Sequence, residues 1–245
     1  MVPTTTQNLR VNLNRVRERI AEAAHRASRQ PTEVTLVAAT KTYPPEVKAD
    51  AVREGVLHFG ENRVQEALAK IPRVAELIKG EEVPAPVWHM IGHLQTNKAK
   101  QAVELFSIIQ SVDSVRLADT ISHRAQLSRA TQPLPLLLEV YFGEDPNRPG
   151  FRPRDLAEAV EQILEFPGIQ VRGLMTVAPL GWDASATRGA FRRLSELRIH
   201  LAQSYPRVHW DQLSMGMSDD FELAVEEGST MVRIGRALFG PREAG

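Results

Sequence analysis

Residues 36–44 read LVAATKTYP, and this stretch decides the fold. Leu36, Val37, Ala38 and Ala39 are apolar with no polar residue between them, as in a strand covered on both faces. The run ends on Lys41, and Pro44 and Pro45 close the segment. An open doubly wound sheet built for a dinucleotide would carry a glycine-rich turn after its first strand. KTYPP stands there instead.

Working outward, runs of the same kind recur at 57–62 (LHFGEN), 87–92 (VWHMIG), 106–112 (FSIIQSV), 135–141 (PLLLEVY), 171–177 (VRGLMTV), 211–216 (DQLSMG) and 231–235 (MVRIG). Helical patterns fall between them at 45–55, 63–80, 96–105, 114–129, 153–166, 185–204 and 219–228. Residues 8–29 precede the first strand and place Leu9, Leu13, Val16, Ile20 and Ala23 at helical spacing. Eight strand–helix repeats predict an α/β chain: a single (β/α)8 TIM barrel with an extra N-terminal helix, one domain over residues 1–245. A doubly wound sheet is the alternative and would show fewer strands.

Composition removes several function classes. The chain has 245 residues, 42% hydrophobic and 24% charged, with 30 basic and 30 acidic side chains. A neutral chain without a basic run lacks the electrostatic footprint of a nucleic-acid binder. No stretch reaches the roughly 20 apolar residues that span a bilayer. The N-terminus, MVPTTTQNLR, has no signal-peptide pattern. With no cysteine, disulfides, thiolate metal sites and cysteine nucleophiles are excluded. These features predict a cytoplasmic protein.

Sites in such barrels form at the C-terminal ends of the strands. The first strand ends in Lys41, the second in Glu61 and Asn62, the third leads to His93, and the sixth ends in Met175 and Thr176. The seventh runs into SMGMSDD and the eighth into RIGRALFG. Gly216 and Gly235 let a phosphate approach the backbone, Ser214 offers a hydroxyl, and a helix start at 218–221 adds dipole. Asp219 and Asp220 would repel a phosphate and are assigned to capping that helix. The plainer reading, ordinary turn glycines and a cap, stays open, as does a merely solvated Lys41. An amine on one side of the mouth and a phosphate cup on the other suit pyridoxal 5′-phosphate, an aldehyde with a phosphate arm.

At this point the sequence resembles the pyridoxal phosphate homeostasis proteins. The resemblance lies in LVAATKTYP, HFGENRVQEA, WHMIGHLQTNK, SVDS, GLMTV and above all LSMGMSDDFELAVEEGSTMVRIGRALFG. It implies a single barrel similar to that of alanine racemase, with the cofactor held as a Schiff base on Lys41. It further implies a role in vitamin B6 and amino-acid homeostasis without an established catalytic activity. The expected cofactor-binding set is Lys41, Asn62, His93, Met175, Ser214, Gly216, Arg233, Gly235 and Arg236. Asn62 is expected to brace the ring, and Arg233 to reach its nitrogen, because Arg233 shares a strand face with Gly235. The other reading of Arg233 is a buried ion pair. One departure concerns the fifth strand, where relatives often carry Asn and then Lys and this chain has Tyr141 and Arg148.

His89 and His93 would suit zinc on a helix, but on a strand they stand about 13 Å apart, so no metal is expected and His89 is read as structural. Tyr43 and Tyr141 are placed at the mouth, and Tyr205 at the opposite end. Three functions are weighed: a cofactor carrier or regulator, a racemase-like enzyme, and a barrel with a vestigial site. Because nothing after the eighth strand supplies a second proton donor, the carrier is favoured. Its expected partners are pyridoxal phosphate, cofactor-free enzymes and free amino acids, with no nucleic acid or membrane, and the chain is expected to act as a monomer.

Overall fold

The computed structural model describes residues 6–41, 43–128, 132–179 and 181–240; the ends of the expected 1–245 domain lie outside these. Eight parallel strands close into a barrel in sequence order: β1 (Thr35–Ala39), β2 (His58–Glu61), β3 (Val87–Met90), β4 (Ile108–Val112), β5 (Leu134–Glu139), β6 (Ile169–Met175), β7 (Gln212–Ser214) and β8 (Met231–Ile234). The last returns to the first, with Val37 opposite Arg233 and Ala38 opposite Ile234. All eight expected strands are present, and none of the open-sheet order is seen.

The helices are α1 (Thr6–Arg26), α2 (Pro45–Arg53), α3 (Val64–Leu77), α4 (Ala99–Leu105), α5 (Val115–Ser128), α6 (Leu156–Leu164), α7 (Ala184–Ser204), α8 (Phe221–Glu226) and α9 (Arg236–Phe239). Local chemistry sets their limits. Pro45 opens α2, where its fixed φ suits the first turn and no amide is needed. Asp183 caps α7, its carboxylate accepting from the Ala186 N–H at 2.8 Å. In α6 the buried residues are Leu156, Ala159, Val160 and Ile163, a single helical stripe. The short α9 was not expected from the sequence. Helix α1 packs on α8 and α9, burying Leu9, Leu13, Val16, Ile20 and Ala23, so it covers the barrel where its last helix is short.

Strand alternation divides the interior into two layers. Ala38, Phe59, Met90, Ile109, Leu138, Leu174, Leu213 and Val232 point outward into one apolar cluster with the helices. Ile108, Leu137 and Met175 form a separate small cluster. By register they share the inward side with His89, Gln110, Ser214 and Arg233, all buried. The barrel is therefore filled on one side with hydrocarbon and on the other with hydrogen-bonding groups.

Candidate cofactor site

Lys41 stands two residues beyond Ala39, the last inward residue of β1. Its segment is tied down on both sides. Thr40 Oγ1 donates to Glu61 Oε1 at 2.8 Å, and Lys48 Nζ, ion-paired to the same carboxylate at 2.8 Å, donates to the Tyr43 carbonyl at 3.2 Å. Lys70 Nζ donates to the Lys41 carbonyl at 2.8 Å and pairs with Glu66. Lys48 and Glu61 have no exposed side-chain surface, and burial holds the Lys48 pKa below its ordinary value.

Across the β1–β8 seam lies the second half of the mouth. The loops after β7 and β8 are stitched together: Arg233 N–H donates to the Gly216 carbonyl (3.0 Å), Ala237 N–H to Ser218 Oγ (3.3 Å), and Arg236 pairs with Asp219. The backbone N–H groups of Gly216, Ser218, Gly235 and Arg236 meet no acceptor among the described residues. A Cβ on Gly235 would stand 3.1 Å from the Ala39 carbonyl, so the glycine keeps the mouth open beside β1. Gly216 is required for a different reason. Its φ is +92°, and a Cβ would fall 2.5 Å from the Ala224 side chain. Free amides around a glycine-lined gap are the donor set a phosphate uses, so the residues present fit a phosphate-bearing cofactor.

Two expectations are corrected here. The Ser214 hydroxyl is not turned to the cup: it donates to Gln110 Oε1 and accepts from Arg233 Nη1, both at 2.6 Å, inside the barrel. Asp219 and Asp220 do not cap α8. Asp219 pairs with Arg236, and Asp220 Oδ1 accepts from the Met217 N–H at 2.5 Å, tightening the loop itself. Tyr43 donates its hydroxyl to the Gly240 carbonyl at 2.9 Å, and its ring lies 4.7 Å from that of Phe239.

Arg233 is 4% exposed and donates to Ser214 Oγ and, through Nη2, to the Thr176 carbonyl at 2.7 Å. Burial draws its pKa down to about 10, opposed by Glu139 and Asp220, so it stays charged at neutral pH. Among the described residues no carboxylate is ion-paired with it, which removes the buried ion-pair reading. Met175 is buried in the small inward cluster, opposite Ser214 in the β6–β7 register. Asn62 and His93, with Arg63, Glu66 and Lys98, line a cavity of about 620 Å³ to which the residues with open amides do not contribute, and His93 Nδ1 meets Asp113 Oδ2 at 2.8 Å. His89 is buried, on the inward side of β3.

Sequence reasoning missed Glu139 and Gln110, and named Thr176 at its strand end without a role. Glu139 ends β5 opposite Met175. Burial raises its carboxyl to about 7, with Asp113 adding to the rise and Arg233, Arg148 and His93 opposing it. Its signal was a lone carboxylate inside the apolar run PLLLEVY. Tyr141, at the departure after β5, packs under Arg152, whose guanidinium carbon is 4.6 Å from the ring centroid, and under Arg148 at 5.8 Å.

Lys41, just past the first strand, and the open backbone amides after the seventh and eighth stand at the same end of one closed parallel barrel. The matching family model is the alanine racemase N-terminal domain, over residues 11–243. Alanine racemase of Clostridium difficile 630 shares the fold at a TM-score of 0.68 and 17% identity, covering 97% of this chain and 58% of its own. Nearer relatives narrow the class. A pyridoxal phosphate homeostasis protein of Aquifex aeolicus is 43% identical over 231 residues, 94% of this chain and 97% of its own. PipY of Synechococcus elongatus, solved with pyridoxal phosphate bound, is 40% identical with a TM-score of 0.77, covering 90% of this chain and all of its own. The chain belongs to the family of pyridoxal phosphate homeostasis proteins.

Proposed function

We propose that residues 1–245 act as one domain that binds pyridoxal 5′-phosphate and serves its homeostasis in the cytoplasm, as a carrier rather than an enzyme. The observation that carries this reading is the set of open amides of Gly216, Ser218, Gly235 and Arg236 in the loops after β7 and β8, at the same end of the barrel as Lys41 just past β1. Lys41 Nζ would hold the cofactor at its aldehyde carbon. The amides hold the phosphate, and Arg233 faces the ring nitrogen. When bound, the cofactor supplies an electrophilic carbon that free amines can claim. Asn62 and His93 flank the approach from the neighbouring cavity. Met175 closes the floor beside Ser214.

An arginine opposite the ring nitrogen has no acceptor capacity and cannot deprotonate in practice. It therefore leaves that nitrogen without a proton and the ring a weaker electron sink, which suits holding the cofactor more than reacting through it. Free amino acids and cofactor-free enzymes are the partners in exchange, and the chain works as a monomer. No helix among the described residues is long and apolar enough to cross a membrane. The racemase-like alternative shares the barrel, but the Tyr43 hydroxyl is already bonded to Gly240 and Tyr205 reaches only Glu161, at 3.3 Å.

The test is an absorbance titration of the purified protein with pyridoxal phosphate, followed by dialysis. Wild type should retain one equivalent in a visible-absorbing form and Lys41→Ala should lose that band. Equal retention by both would overturn the reading.

A further inference from the structure

Gln110 is the middle of a hydrogen-bonded chain that runs down the barrel away from the mouth. Arg233 Nη1 meets Ser214 Oγ at 2.6 Å, Ser214 Oγ meets Gln110 Oε1 at 2.6 Å, Gln110 Nε2 meets His89 Nδ1 at 2.8 Å, and His89 Nε2 meets His58 Nδ1 at 2.9 Å. His58 opens β2 and lines a cavity of about 370 Å³ with Arg17, Val34 and Leu57 at the far end of the barrel. These inward places are ones a barrel ordinarily fills with branched hydrocarbon.

Arg233 sets the direction of every bond. A guanidinium has only donors, so Ser214 Oγ accepts from it and gives its own proton to Gln110. Gln110 therefore turns its oxygen to Ser214 and its NH2 to His89. His89 Nδ1 is then the bare nitrogen, and its proton sits on Nε2, directed at His58 Nδ1. Each proton points away from Arg233. Burial favours the same state: it holds the His89 pKa at about 3 and lowers that of His58, so both rings are neutral at pH 7.

We propose that Gln110, Ser214 and His89 are positioning residues for the cofactor ring, a one-way chain that fixes the Arg233 guanidinium at the ring nitrogen. The inference rests on the reading that Arg233 faces that nitrogen. Without the chain only the Thr176 carbonyl would orient a long, flexible side chain in the barrel.

Two measurements on the full chain test it. In protein without added cofactor, long-range ¹⁵N NMR at pH 7 should find His89 neutral with its proton on Nε2, and Gln110→Met should disturb that pattern. A proton on His89 Nδ1 in the wild type would overturn the chain. In protein loaded with pyridoxal phosphate, Gln110→Met and Ser214→Ala should keep Lys41 reducible by borohydride. Both should shift the absorption of the bound cofactor and speed its release about tenfold, equivalent to ~1.4 kcal/mol. Unchanged spectra and release in both variants would overturn the positioning role. A wild-type protein that takes up no pyridoxal phosphate would instead overturn the cofactor reading, and the ring role with it.

Discussion

Lys48 Nζ lies 2.8 Å from Glu61 Oε1, with both side chains sealed from solvent behind the segment that carries Lys41. One carboxylate oxygen thus serves Thr40, just before Lys41, and Lys48, whose ammonium reaches the Tyr43 carbonyl just after it. Two unlike charges in a dry site gain little net stability over hydrocarbon, but either one left alone is costly.

Glu61→Gln and Lys48→Met should each lower the unfolding free energy by about 3–5 kcal/mol. The double variant Glu61→Leu/Lys48→Met should recover much of that stability but not the cofactor affinity, because the Thr40 hydroxyl and the Tyr43 carbonyl have lost these partners. Urea unfolding and cofactor titration on all four proteins check this. Affinity that recovers together with stability would show that the pair serves the fold alone.

Glu139 predicts a pH dependence. Its folded pKa, about 7, stands above the ordinary 4.5, so the folded state holds this proton more tightly than the unfolded one. The contribution is complete below about pH 4.5 and is lost as the pH rises through 7. Relative to wild type, Glu139→Gln should therefore gain stability steadily across that window. A difference that stays flat with pH would contradict the assignment. His89 acts in the opposite sense: its folded pKa of about 3 lies below the ordinary 6.5, so its contribution is present above 6.5 and lost on acidification toward 3.

Much of this was legible in the sequence, for identifiable reasons. The strands announced themselves because parallel strands are apolar on both faces, and once their limits were read, Lys41, Gly216 and Gly235 fell just past the ends of β1, β7 and β8. What was not legible depends on contacts across the barrel. Gln110 and Ser214 are 104 residues apart and share a hydrogen bond, and no local pattern joins them. The Ser214 hydroxyl was misassigned for the same reason, since its competing partner lies on another strand. Asp220 was read as a cap because N-cap preferences are local, whereas its carboxylate reaches back to Met217.

The proposed phosphate cup separates backbone from side chain. Gly235→Val would fill the gap beside Ala39 and should weaken cofactor binding by far more than tenfold. Arg236→Ala removes an exposed pair with Asp219, and such pairs contribute about 1 kcal/mol or less, so binding should change only slightly. Equilibrium dialysis compares the two. Equal losses would make the Arg236 side chain, not the amides, the holder of the phosphate.

Racemisation needs a second proton carrier opposite Lys41. The Tyr43 hydroxyl is bonded to Gly240 and the Tyr141 ring is packed beneath Arg152. Incubation with L-alanine in deuterium oxide should therefore give little Cα exchange and no D-alanine by chiral chromatography. Turnover near about 10 per second, the median enzyme rate, would contradict the carrier reading and make Tyr141 the first residue to replace.

The central claim is that Lys41 holds the cofactor. Loading the protein with pyridoxal phosphate, reducing it with borohydride, and mapping the peptides by mass measures this directly. The pyridoxyl group should be found on Lys41, in near-stoichiometric yield, and none on Lys48 or Lys70. A label on either of those lysines, or spread over surface lysines with Lys41 unmodified, would contradict it.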